Sequence, residues 1–285
     1  MWSNFHTHSN YCDGKGDMVE YARKAEQLKM ISLGFSFSSH APLPFPCKWC
    51  MNTGNLDSYL NSISILQQKS SSLQIYKGLE IDYIPHTISP NTFKDKLDYT
   101  IGSIHFVEKL PGEIPWEIDG THSLFREGFE KIFNNNIRDT IGRYLELTRQ
   151  MIMDACPTIV GHLDKIKIQN MDGTFFNEKD SWYQQEIKKT IDLIAESGAI
   201  IEVNTRGIYQ NKSTTTYPSP WVLDYINSKH IPITLSTDAH HPDDLINEFS
   251  KTATMLKQIG FKKISVLHDG HWQPCSFNTG GIILS

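Results

Sequence analysis

The chain has 285 residues, with 27 Lys and Arg against 32 Asp and Glu and a net charge of −5. That length suits one large α/β unit with a substantial core, and the mild acidity argues against a nucleic-acid groove, which needs clustered basic residues. No stretch nears the roughly 20 apolar residues that span a bilayer, no export signal opens the chain, and the five scattered cysteines suit reduced thiols, so a cytoplasmic protein is expected.

In chain order, residues 2–8 read as a strand ending in Phe5-His6-Thr7-His8. The i, i+2 spacing points both imidazoles to one face. A turn over 12–16 follows, and Asp17 is placed to cap a helix over 18–30. A second strand over 31–39 ends at His40. The Pro-rich segment 41–53 resists regular structure. It carries Cys47-Lys48-Trp49-Cys50 and reads as a lid, with Trp49 as an apolar wall.

A helix runs to about Lys69, a third strand near 74–80 ends on Glu80, and a fourth over 99–105 ends on His105. Residues 107–121 read as a long loop. Helices are predicted near 123–133 and 137–153, and a fifth strand over 158–162 ends on His162. A helix near 181–196 precedes a sixth strand, 199–204. A helix near 219–228 precedes a seventh, 232–237, with Asp238 and His240 just beyond it. A helix from about 242 to 259 and a short strand over 263–267 complete the pattern. Strands alternating with helices imply parallel pairing. Nothing marks a boundary, so residues 1–285 are expected to form one domain.

A single histidine at a strand end is ordinarily a hydrogen-bonded polar residue. Here imidazoles and carboxylates recur together after apolar runs. That is the ligand set of zinc, manganese and iron, and strand C-termini are where barrel enzymes place their chemistry. A multinuclear metal site at a barrel mouth is therefore expected.

The motifs His-Thr-His, Ser-His-Ala-Pro, Gly-Leu-Glu-Ile-Asp, Gly-Ser-Ile-His-Phe, Gly-His-Leu-Asp and Thr-Asp-Ala-His-His-Pro follow one another from Phe5 to Pro242. Taken together, they resemble the polymerase and histidinol phosphatase (PHP) superfamily, and within it the monofunctional histidinol-phosphate phosphatases. The resemblance implies an α/β fold, a distorted (β/α)7 TIM-like barrel, with a trinuclear centre. His6, His8 and Asp238 would bind the first metal. Glu80 would bridge to the second, completed by His105 and His162. His40 and His240 would bind the third, with Asp13 from the first turn and Asp17 as its rival. Many relatives have a histidine where this chain has Cys12-Asp13-Gly14. Two to three divalent ions are expected; zinc, manganese and iron stay open.

Arg206, after strand six, suits bidentate phosphate binding, and Lys165 is a weaker candidate. Glu202 and Asn204 share a strand face and would bind the substrate's amine or orient a ligand. Ser39 and Ser103 are expected to bond backbone groups. Asp238 or His241 would protonate the leaving group, directly or through water; His241 reads equally well as a surface residue. The resemblance implies hydrolysis of L-histidinol phosphate in histidine biosynthesis by a metal-bridging hydroxide. Its partner would be that small phosphorylated substrate, with neither nucleic acid nor membrane. The rivals are a PHP phosphodiesterase or exonuclease, a phosphatase of another small phosphoester, and a non-catalytic barrel that binds metal or a phosphorylated ligand.

Overall fold

The computed structural model describes residues 1–36, 42–112 and 114–284; His40 and Ser39 lie outside them. The strands are β1 (Ser3–Asn4), β2 (Ser32–Phe35), β3 (Gln74–Asp82), β4 (Tyr99–Ser103), β5 (Phe106–Leu110), β6 (Ile114–Glu117), β7 (Ile159–Val160), β8 (Ile200–Asn204) and β9 (Ile233–Ser236). Seven of them form one parallel sheet in the order β1-β2-β3-β4-β7-β8-β9. The circle is completed at the carboxyl ends. His8 N donates to Ala239 O at 2.7 Å, and Ala239 N donates to His6 O at 3.1 Å. Closure there, with β1 and β7 only two residues long, makes this a distorted and nearly closed (β/α)7 barrel.

The crossovers are helical: α1 (Met18–Gln27), α2 (Leu56–Lys69), α3 (His122–Lys131), α4 (Ile137–Ala155), α5 (Ser181–Ser197), α6 (Arg206–Tyr209), α7 (Pro220–Ser228) and α8 (Phe249–Ile259). Asp17 starts α1 with a capping box: Glu20 N donates to its side chain, and its own N donates to Glu20. No helix of the described residues is long and apolar enough to cross a membrane.

Barrel strands are covered on both faces, so they read as near-continuous apolar runs. In Ile200-Ile201-Glu202-Val203-Asn204 every residue is buried. The two polar residues are spaced by two and so share a face; Glu202 bonds to the His6 ring and Asn204 to Asp238 at the barrel mouth.

Four expectations are corrected. Residues 107–121 are not one loop, because β5 and β6 pair as an antiparallel hairpin within them. The tail is not one short strand but a meander of β10 (Lys263–His268), β11 (His271–Asn278) and β12 (Gly281–Ile283). Its first turn is Asp269-Gly270, both at positive φ, the geometry that favours a two-residue hairpin. The last helix begins at Phe249, because Pro242–Asp244 forms a separate 3-10 turn. The cysteines are not all free thiols either. Cys47 and Cys50 form a disulfide, their Cα atoms 5.3 Å apart, within bridging reach; Cys12, Cys156 and Cys275 are thiols outside any disulfide among the described residues.

Candidate metal centre

The barrel mouth gathers three groups of ligand-type side chains. His6, His8 and Asp238 form one, Glu80, His105 and His162 a second, and His8, Asp13 and His240 a third. Within each group, one donor atom per residue lies within 4.8 Å of the others. Glu80 joins the first two. Its Oε2 is 3.2 Å from His6 Nε2 and 3.9 Å from His8 Nε2. Its Oε1 is 2.9 Å from His162 Nε2 and 3.7 Å from His105 Nε2. One carboxylate thus turns an oxygen to each imidazole pair.

The third group rests on turns. Asp13 Oδ1 is 3.4 Å from His8 Nδ1, and its Oδ2 is 3.2 Å from His240 Nε2. A Cβ on Gly14 would lie 2.3 Å from the His8 carbonyl carbon, so only glycine lets this turn sit on His8 and present Asp13. Asp17, the rival, is occupied as the α1 cap. On the other side, Asp238 adopts φ +52°, a conformation that few residues other than glycine take up. It leads into His240, whose ring stacks on His8 at 3.7 Å.

Behind the imidazoles stands a layer of carboxylates and hydroxyls. Glu202 Oε1 is 2.5 Å from His6 Nδ1 and accepts from Ser236 Oγ, while its Oε2 accepts from His162 N at 2.7 Å. Asp82 Oδ1 is 3.0 Å from His105 Nδ1. Ser103 Oγ donates to Glu80 Oε1 at 2.6 Å, so its hydroxyl serves the site and not the backbone. Asn204 Nδ2 donates to Glu202 and Asp238. Glu202 and Asn204 are fully buried behind the ligands and away from the cleft, so of their two expected uses the geometry leaves the orienting one. Such backing fixes ring orientation and raises ligand basicity.

The electrostatics follow. Burial alone would lower the His6 imidazole, but Glu202, Asp238 and Glu80 outweigh it and lift it to about 10. Burial likewise opposes His105, and Asp82 carries it to about 9 against Lys165. His240 falls to about 3 through burial, His8 and Arg206. Burial would raise Asp238, yet Arg206, His6 and His8 hold it well below the usual carboxylate range. A pocket this rich in imidazole and carboxylate donors fits divalent cations.

The groups open into a cleft of about 690 Å³ lined by His8, Glu80, His105, Asp238 and His240. Arg206 and Lys165 also line it. Arg206 Nη1 donates to Asp238 Oδ1 at 2.9 Å and meets the His240 ring. Lys165 is not solvated as a lysine after a strand ordinarily is; its Nζ is 2.9 Å from Asp119 Oδ2 and 3.2 Å from His105 Nε2. Trp49 closes one side, stacked on Phe106 at 5.3 Å and edge-on to His105 at 5.6 Å. His241 is turned out of the cleft. Its side chain is 50% exposed, and its Nδ1 accepts from Asp243 N, capping the 3-10 turn. His240 thus points in and His241 out.

Sequence reasoning missed Asp82, Glu117, Asp119, Lys212 and Tyr217, of which all but the buried Asp82 line the cleft. Asp82 had a signal, standing two residues after Glu80 on the same strand face. The other four sit on the hairpin's far strand, on the turn beyond it and on an irregular loop, where no periodicity marks them.

The model of the PHP domain matches residues 4–206, about seven-tenths of the chain. The chain belongs to the PHP domain family. Among its relatives is the histidinol-phosphatase of Bacillus subtilis, 26% identical over 266 residues that cover 84% of this chain and 94% of the other. Among solved structures, histidinol phosphate phosphatase from Lactococcus lactis, complexed with zinc, L-histidinol and phosphate, superposes with a TM-score of 0.64 at 19% identity over 99% of each chain. A Listeria monocytogenes protein provisionally described as a histidinol phosphatase reaches 0.74 at 20% identity, over 87% of this chain and 99% of that one. These likenesses share the barrel. The chain is an enzyme, a hydrolase, like the relatives it matches along most of its length.

Proposed function

We propose that this chain is a metal-dependent phosphomonoesterase that hydrolyses L-histidinol phosphate to L-histidinol and phosphate. The observation that carries the reading is Glu80, whose two oxygens face two separate imidazole pairs in the manner of a carboxylate that bridges neighbouring cations. His6, His8 and Asp238 would hold one ion, His105 and His162 a second, and Asp13 and His240 a third beside His8. Zinc is the first candidate, since it is the metal in the Lactococcus lactis complex. When bound, such ions polarise phosphoryl oxygens and bring a water's pKa to around 7.

The protein's own groups do the rest. Arg206 and Lys165 stabilise charge on the phosphoryl oxygens. Glu202, Asp82 and Ser103 keep the ligands oriented. Trp49 excludes water from one side. Because His241 faces outward, Asp238 is the one of the two expected donors that reaches the cleft, and as a carboxylate held well below its usual range it would relay a proton from water instead of supplying its own. Glu117, Asp119 and Asp172 line the same cleft as the cations, Asp119 paired with Lys165. A cleft that offers both cationic and acidic side chains suits a substrate with a phosphate at one end and an amine at the other, which supports histidinol phosphate over a neutral sugar phosphate. The reading takes residues 1–285 as one catalytic unit working in cytoplasmic histidine biosynthesis.

The test is phosphate release by metal-quantified protein from a panel of phosphomonoesters that includes histidinol phosphate, with a single-stranded oligonucleotide alongside. Fastest turnover of histidinol phosphate supports the proposal. Preference for the oligonucleotide, or no hydrolysis of any ester, overturns it.

A further inference from the structure

Three cationic side chains border the cleft: Lys165, Arg206 and Lys212. Two are already matched, because Arg206 is paired with Asp238 at 2.9 Å and Lys165 with Asp119 at 2.9 Å. Lys212 has no carboxylate partner among the described residues. A third like charge beside two others is disfavoured. Lys212 is exposed at the cleft's edge, and partial desolvation together with Arg206 and Lys165 pushes its ammonium below the usual range. An anion entering between them would reverse that penalty.

Lys212 is not carried on a free loop. Its backbone N donates to Gly207 O at 2.8 Å, and Ser213 N donates to the same oxygen at 2.9 Å. The Tyr217 ring packs so closely on Gly207 that a Cβ there would lie 2.8 Å from ring carbons. The far end of the loop is clamped by the buried Lys167, whose Nζ donates to Asp164 Oδ2 at 3.0 Å, Thr215 Oγ1 at 3.0 Å and Thr216 O at 2.6 Å. Asp164 and Lys167 flank Lys165 and Ile166 in the chain. The clamp therefore ties the loop bearing Lys212 to the one bearing Lys165.

We propose that Lys212 is a substrate-binding residue whose ammonium takes up a phosphate oxygen in the cleft, completing with Arg206 and Lys165 a cationic wall in which it alone brings an unmatched charge. The proposal rests on the phosphomonoesterase reading and deepens it. Lys212 holds the phosphoryl group in the ground state and in the product complex, so it acts chiefly on affinity.

Lys212→Met and Lys212→Arg are compared with the unaltered protein at equal metal content and equal melting temperature. Orthophosphate is titrated by calorimetry, and steady-state kinetics are run on whichever phosphomonoester the unaltered protein turns over. Loss of one charge-assisted hydrogen bond should raise both the orthophosphate Kd and KM in K212M by about tenfold or more. The kcat should stay within about twofold, and K212R should recover most of the affinity. An unchanged Kd and KM in fully metallated K212M overturn the assignment, as does an unaltered protein that does not bind orthophosphate. If the unaltered protein binds orthophosphate but hydrolyses no ester, the activity reading fails, and the titration alone decides Lys212.

Discussion

The inner and outer halves of the metal centre are built differently. The inner ligands His6, His8, Glu80, His105, His162 and Asp238 are each at most 2% exposed and stand at or near the ends of barrel strands. Carboxylates or hydroxyls back several of them: Glu202 behind His6, Asp82 behind His105 and Ser103 on Glu80. The outer pair, Asp13 and His240, are 35% and 17% exposed at their side chains. They come from turns, and Asp13 meets imidazoles on both oxygens. A strand end in a packed sheet places a ligand before the cation arrives, whereas a turn must be held by its local contacts. The inner ions should therefore bind more tightly than the outer one.

The change that breaks this arrangement most is Glu80→Ala. It removes the carboxylate that, among the described residues, both inner groups share, so at least one ion per chain should be lost and turnover should fall on the order of 10³-fold or more. Elemental analysis and phosphate release check it; full metal and full activity together would refute the bridging role. Next comes Glu202→Gln, which keeps the shape but removes the charge behind His6. Second-layer changes of this kind cost about 10- to 100-fold in metal affinity or activity, measurable by competition with a chromophoric chelator. An equal loss from changing an exposed acid far from the cleft would remove the special standing of the inner backing.

Asp13→Asn probes the outer half. Stoichiometry should fall by one ion while the inner ions stay, with about a tenfold loss in kcat/KM, a single ligand exchange being milder than removal of the bridge. Loss of all the ions together would show that the two halves are one cooperative unit and dissolve the contrast between them.

That contrast also marks how much of the molecule was legible in the sequence. The barrel was legible because covered strands must be apolar and helices must show their own period. The inner ligands were legible because polar residues that interrupt apolar runs stand out. The i, i+2 pairs His6 and His8, and Glu202 and Asn204, signalled shared faces. What their faces look onto was not legible: Glu202 and Asn204 turn behind the ligands because β8 and β9 pair in a register that sets Asn204 against Ser236. Asp119 and Lys212 were invisible for the opposite reason. They sit on irregular backbone, where neither period 2 nor period 3.6 predicts a direction. For His240 and His241 the spacing gave no direction either; the family resemblance alone set His240 at the metal and left His241 between proton donor and surface residue.

Asp17→Ala is expected to have the smallest effect, and it separates two carboxylates four residues apart. Asp13 and Asp17 both follow the His-Thr-His strand, and spacing alone left either as an outer ligand. In the fold Asp17 accepts from Glu20 N at 2.9 Å while Glu20 returns a bond to Asp17 N at 2.9 Å. Its side chain thus closes the first turn of α1. Removing a cap of this kind costs about 1 kcal/mol of stability, which lowers the melting temperature by about 2–4 °C in a chain of this size or somewhat smaller. Metal stoichiometry and kcat/KM should not change, because among the described residues none of α1 lines the cleft. A melting shift without metal loss leaves Asp13 as the outer carboxylate. Loss of one ion from D17A at unchanged stability would hand that place to Asp17 and show that the first turn rearranges when the cation enters.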